Sequence, residues 1–109
     1  MARKGRDLEK IISLLEGALQ QSGIQLKSPD FLPDKDTGEP REVDISLRGR
    51  IGSSDILAII ECRDRDATQD VTWIEQLICK RSSVNADKVL AVSSSKFSEP
   101  ARIKAEKNN

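Results

Sequence analysis

DILAIIECRDRD, residues 55–66, is the stretch on which the fold turns. Residues 56–60 form an unbroken apolar run, the pattern of a strand covered on both faces. The run then changes abruptly to Glu61, Cys62 and Arg63. Period-2 alternation puts Glu61 and Arg63 on one face of that strand and Cys62 on the other. Just upstream, REVDISLR (41–48) alternates cleanly, with Val43, Ile45 and Leu47 on one face and Glu42, Asp44 and Ser46 on the other. GRIGSSD (49–55) reads as the turn between them, so the two strands are expected to pair as an antiparallel hairpin. Asp44 then lies in mid-strand and Glu61 near the end of its neighbour.

Working outward, RDLEKIISLLEGALQQSG (6–23) places Leu8, Ile11, Ile12, Leu15 and Leu19 at helical spacing, with Gly23 as a stop. IQLKS (24–28) is a short strand, and PDFLPDKDTGEP (29–40) reads as a polar loop punctuated by Pro and Gly. Downstream, Thr68 or Asp70 caps a helix over VTWIEQLICKRSS (71–83), whose Ile74, Leu77 and Ile78 face inward. KVLAVSS (88–94) is an apolar strand expected to be buried on both faces and, because a helix precedes it, parallel to residues 56–63. SEPARIKAEKNN (98–109) is a last helix capped by Ser98 with Pro100 in its first turn. The order α-β-β-β-α-β-α describes a mixed α/β sheet flanked by helices.

At 109 residues the chain is expected to be one domain over residues 1–109. Its 18 Lys and Arg balance 18 Asp and Glu, which excludes a generic polybasic nucleic-acid coat. The charges segregate, however: residues 30–75 are acidic and residues 80–107 basic, a division able to seat a cation beside a polyanion. There is no histidine, and Cys62 and Cys79 form no CxxC pair, which excludes a zinc site of clustered His and Cys. With no apolar run near the ~20 residues that cross a bilayer, and no signal peptide, the expectation is a cytoplasmic protein with reduced thiols.

If Asp44 faces the same side as Glu61 and Arg63, two carboxylates and a cation converge on a small patch of sheet. Close carboxylates repel, and burial of each opposes its ionisation unless a cation is near. A divalent metal removes that cost, and oxygen ligands from Asp, Glu and a main-chain carbonyl suit Mg²⁺. The spacing is equally compatible with a plainer reading. Strands end in Glu or Arg because they emerge into water, and Asp44 is then the solvent face of a half-covered sheet.

The pattern REVDISLRGR…ILAIIECRDR…WIEQLICKR…ADKVLAVSSSKFSEPARIKA resembles the PD-(D/E)xK nuclease superfamily, and most closely its Mrr-type restriction-endonuclease branch. The resemblance runs from Glu9 in the first helix to Ala101 and Ala105 in the last. It implies an αβββαβ core and a motif of Asp on the second strand with Glu-x-Lys ending the third, here Asp44 and Glu61-Cys62-Arg63. Val43 stands where the motif's Pro would be, and VSSSKFSEPA (92–101) is similar to the Mrr-type passage from fourth strand to helix. The implied metal ligands are Asp44, Glu61, the main-chain carbonyl of Cys62 and, from the first helix, Glu9.

Arg63 replaces the motif lysine. An arginine keeps its proton, with a pKa of roughly 12.5 or above, so it can orient water and neutralise charge but cannot act as a base. The lysine is instead supplied from the next helix in some members of the superfamily, and Lys80, four residues after Gln76, projects from the same helical face. Gln76, Lys80 and Glu9 are also compatible with ordinary solvated helix faces, and Trp73 with simple packing. The resemblance implies a Mg²⁺-dependent DNA endonuclease, with Mn²⁺ able to substitute, acting through Asp44, Glu61, Arg63, Gln76 and Lys80. Arg3, Lys4, Arg6, Lys96, Arg102 and Lys104 would contact backbone phosphates, without base-specific readout. Cutting both strands would need two sites, most simply a homodimer. The alternative is the same fold with its chemistry lost, binding DNA or a protein. The chain stops at AEKNN where relatives continue, so a C-terminally truncated or minimal form is expected.

Overall fold

A computed structural model describes residues 2–19, 22–64 and 66–108, with side chains from Leu8 onward. Helix α1 (Ala2–Leu19) is followed by strands β1 (Gln25–Lys27), β2 (Asp30–Pro33), β3 (Pro40–Val43), β4 (Ile45–Ile51) and β5 (Ser54–Arg63). Helix α2 (Val71–Ser83), strand β6 (Lys88–Ser93) and helix α3 (Glu99–Lys107) complete the chain. The main sheet has the order β1-β4-β5-β6, antiparallel except for the parallel pair β5–β6. This is the mixed sheet flanked by helices anticipated above, with a two-stranded β2–β3 ribbon inserted between its first two strands.

The central strand behaves as its sequence requires. Ile59 and Ile60 are both buried but belong to opposite layers. Ile60, Ile45 and Cys62 meet the apolar stripe of α1, formed by Leu8, Ile11, Ile12 and Leu15. Ile59 packs with Val43, Leu32 and Val84 on the other side. Burying one such side chain contributes roughly 1.5–3 kcal/mol, and the two layers together hold the sheet between its helices. The β4–β5 connection is a two-residue turn, since Ile51 pairs with Ser54, and Gly52 adopts the φ of +61° that L-residues avoid.

Asp70, rather than Thr68, caps α2 by accepting a hydrogen bond from the Thr72 amide at 3.0 Å. Trp73, Ile74 and Leu77 form its buried stripe. Ser98 caps α3, accepting from the Ala101 amide. Among the described residues no helix is long and apolar enough to cross a membrane.

Four expectations are corrected. Residues 29–40 are not a plain loop: β2 and β3 pair within and beyond them, with Asp30 opposite Val43 and Leu32 opposite Arg41. Residues 41–48 are not one strand, because the chain bends at Asp44 and passes from the ribbon into the main sheet. Ser46, expected on the solvent face, is fully buried and donates to the Asp30 carboxylate at 2.7 Å. Arg48 and Lys27 also reach Asp30, joining ribbon to sheet. Finally, β6 is an edge strand and is not covered on both faces, since Leu90 remains 43% exposed.

Candidate functional site

The bend at Asp44 creates the site. Pairing between β4 and β5 begins at Ile45 and Ile60, so Glu61, Cys62 and Arg63 run on with only β6 beside them. The main-chain donors left at that edge need acceptors. The Asp44 carboxylate takes the Cys62 amide at 2.8 Å, and the Glu61 carboxylate takes the Asp44 amide at 3.1 Å. The two acids are therefore latched together, Glu61 holding the Asp44 amide and Asp44 the amide of the residue after Glu61. The Ser28 hydroxyl donates to the Asp44 carbonyl at 2.6 Å and fixes the bend from the β1 side.

Helix α2 brings Lys80 to this pair. Its ammonium lies 3.1 Å from Glu61 Oε1 and donates to the Glu42 carbonyl at 2.6 Å. The Lys80 and Glu61 side chains are only 17% and 13% exposed, so the pair is largely out of water. Burial pushes the Glu61 carboxyl above its ordinary value, and the Asp44 charge adds to that, while Lys80 and the Asp44 amide pull it down. Burial wins, which marks the site as short of positive charge.

Arg63, the motif-position cation, is turned elsewhere. Its guanidinium lies 4.7 Å over the Trp73 ring, and Trp73 stacks on Phe97 with ring centroids 6.1 Å apart and planes 3° from parallel. Arg63 also donates to the Gln69 side chain at 3.2 Å, and Gln69 donates to the Ser95 hydroxyl. Gln69 is 2% exposed, and its main chain bonds Lys96 and Ser98, tying the approach to α2 to the approach to α3.

A cleft of about 850 Å³ opens over this arrangement, lined by Arg41, Glu61, Cys62, Arg63, Gln76 and Lys80 among others. Gln76 is exposed one turn before Lys80. Glu75 also lines the cleft, and Lys104 on α3 stands 3.9 Å from it, which brings Lys104 to the rim. Lys96 is exposed in the turn after β6, and Arg102 is exposed on α3. Glu9 is exposed on α1, whose apolar stripe meets the Ile60 and Cys62 face. The side chains of Arg3, Lys4 and Arg6 lie outside the described residues.

Arg41 was not picked out from the sequence, because the residues before it read as a loop. Its signal was its parity with Val43, which puts it on the inward face of the ribbon. Among the described residues no three His, Cys, Asp or Glu side chains gather as a metal cluster. Two carboxylates and a main-chain carbonyl are oxygen donors nonetheless. They fit a hard cation such as Mg²⁺, which takes one or two carboxylates and keeps several waters.

A family model for restriction endonucleases, the Mrr catalytic domain, matches residues 4–109. Among solved structures, the crystal structure of a protein of unknown function, AF1548, superposes with a TM-score of 0.66 at 17% identity. That alignment covers 85% of this chain and 50% of the other, so the chain spans half the length of that relative and shares its fold. No curated protein matches. The fold, the end of β5 and the family match agree: the chain belongs to the Mrr-type restriction endonuclease family of the PD-(D/E)xK nuclease superfamily.

Proposed function

We propose that this domain is a metal-dependent DNA endonuclease, hydrolysing phosphodiester bonds in the cleft above β5 and α2. The observation that carries the reading is the Asp44–Glu61 latch with Lys80 on Glu61, assembled from three separate elements at the end of the central strand. Asp44, Glu61 and the Cys62 carbonyl would hold Mg²⁺ or Mn²⁺. When bound, such an ion supplies positive charge to the phosphodiester and acidifies water.

The chain's own residues do the rest. Lys80 favours the charged form of Glu61 against the burial that opposes it, and presents an ammonium to the phosphoryl oxygens on which negative charge develops. It thereby takes the part of the motif lysine. Gln76, on the same cleft wall, offers both a donor and an acceptor for orienting a water. Arg63 holds architecture through Trp73 and Gln69. Lys96, Arg102 and Lys104, with Arg3, Lys4 and Arg6, contribute phosphate contacts that read no bases. Cleavage of both strands would use two copies of the domain.

The test is cleavage of supercoiled and linear DNA with Mg²⁺ or Mn²⁺, comparing wild type with Glu61→Ala. Metal-dependent cutting that vanishes in the variant is expected. DNA binding without cutting by wild type would instead assign the fold to a binding module.

A further inference from the structure

The β2–β3 ribbon brings Arg41 to the cleft, and the way it is fastened gives that residue a task. Lys35 donates its amide to the Ser83 carbonyl at 2.8 Å and its ammonium to the Ser82 hydroxyl at 3.2 Å. At the other strand, the Glu42 carbonyl accepts from Lys80. Ribbon and α2 are thus joined at two places, and Arg41, the neighbour of Glu42, is carried to the cleft beside Lys80.

Among the described residues three cations line this cleft, Arg41, Arg63 and Lys80, and they are used differently. Lys80 is on Glu61, and Arg63 lies on Trp73. Arg41 is 39% exposed and pairs with Asp34 through one nitrogen, at 3.0 Å. Asp34 does not depend on that pair for its position. Its other oxygen accepts from the amides of Asp36 and Thr37, and its main chain bonds Glu39 and Gly38. The Asp34 side chain is 11% exposed, so the pair opens to water on the Arg41 side alone, the side from which an anion can exchange, and a guanidinium fork matches a phosphate with two parallel donors.

We infer that Arg41 grips a phosphate of the substrate strand next to the one cleaved, exchanging Asp34 for a phosphodiester oxygen when DNA enters. The inference rests on the nuclease reading for its substrate. It makes the ribbon a positioning element: Lys80 and Arg41, locked side by side through Glu42, would set the register of the backbone over Glu61.

The experiment is duplex DNA binding by the full chain, without divalent metal, across about 50 to 200 mM salt. Arg41→Gln is expected to weaken binding roughly three- to ten-fold and to lower the slope of log K against log salt by about one. Arg41→Lys should keep the slope. Asp34→Asn retains the oxygen that holds the turn but removes the competing charge, so it should tighten binding roughly two- to five-fold. Opposite signs for Arg41→Gln and Asp34→Asn cannot come from a loosened ribbon, which would weaken both. An unchanged slope in Arg41→Gln, or weaker binding by Asp34→Asn, overturns the inference. Wild type that binds with this pattern but fails to cut overturns the nuclease reading and leaves the phosphate grip standing. Wild type that does not bind duplex overturns both.

Discussion

Asp30 and Glu61 are both carboxylates withdrawn from water beside cations, yet the protein treats them in opposite ways. Asp30, 3% exposed, is supplied in full: the Ser46 hydroxyl, the Phe31 amide, Arg48 and Lys27 surround it. Burial pushes its carboxyl up, but those hydrogen bonds and charges outweigh burial and hold it below its ordinary value. Glu61 has Lys80 and the Asp44 amide, and also a second carboxylate beside it, and its carboxyl stays raised. A fully paired carboxylate fastens the ribbon to the sheet. An under-supplied one keeps an open demand for positive charge, which is the property a cation-dependent site needs.

The sharpest way to break this comparison is at the cation on Glu61. Lys80→Ala is expected to lower turnover about 10²- to 10³-fold, the usual effect of removing one preorganised charge-stabilising donor. Arg63→Ala should leave turnover closer to wild type. If a cleavage assay ranked the two variants the other way, the motif position would be the working cation after all.

On the structural side, Asp30→Ala strands the buried Ser46 hydroxyl and the Arg48 guanidinium. A loss of about 2–4 kcal/mol in urea unfolding is expected, with the site chemistry untouched in protein that remains folded. Arg63 belongs with Asp30 in kind. Removing it forfeits a cation–π contact and leaves the buried Gln69 oxygen without that donor, for about 2 kcal/mol and a melting temperature lower by roughly 10 °C. An Arg63→Ala protein that melts like wild type would refute its place in the stack.

The smallest effect carries the clearest sign. With its carboxyl raised in the folded state, Glu61 binds its proton more tightly there than in the unfolded chain. Its contribution to stability is fully present below the ordinary value of 4.5 and declines as pH rises through the folded value. Glu61→Gln, uncharged throughout, should therefore melt no lower than wild type at neutral pH, with its advantage shrinking as pH falls through the raised folded value toward about 4.5 and changing little below that. Asp30 works in the reverse direction, its contribution being lost as pH falls through its lowered folded value. Thermal melts of the two variants across acid pH separate these slopes, and parallel slopes would erase the distinction.

The two hairpins show what could be read in advance. The β4–β5 hairpin was legible because its signals are local: an apolar run in residues 56–60 and a glycine at the turn. The β2–β3 ribbon was not. Phe31 is 57% exposed, Pro and Asp occupy half of β2, and the groups that make Asp30 and Arg41 face inward come from Ser46, Arg48 and α2. Missing the ribbon also hid the bend at Asp44, so the acid was expected in mid-strand when it ends one sheet and opens another.

The central strand and its flanking helices could be read from the chain alone, since hydrophobic period and capping residues act over a few positions. The sequence also named the candidate residues, Asp44, Glu61, Arg63, Gln76 and Lys80, and left open which cation would serve. Packing across the sheet is what gives Lys80 and Arg63 their different neighbours. Helix α2 places Lys80 on the buried Glu61 and Trp73 under Arg63. That choice depends on how a helix packs across a sheet, and packing is settled by the summed contacts of residues far apart in the chain, which no local spacing records.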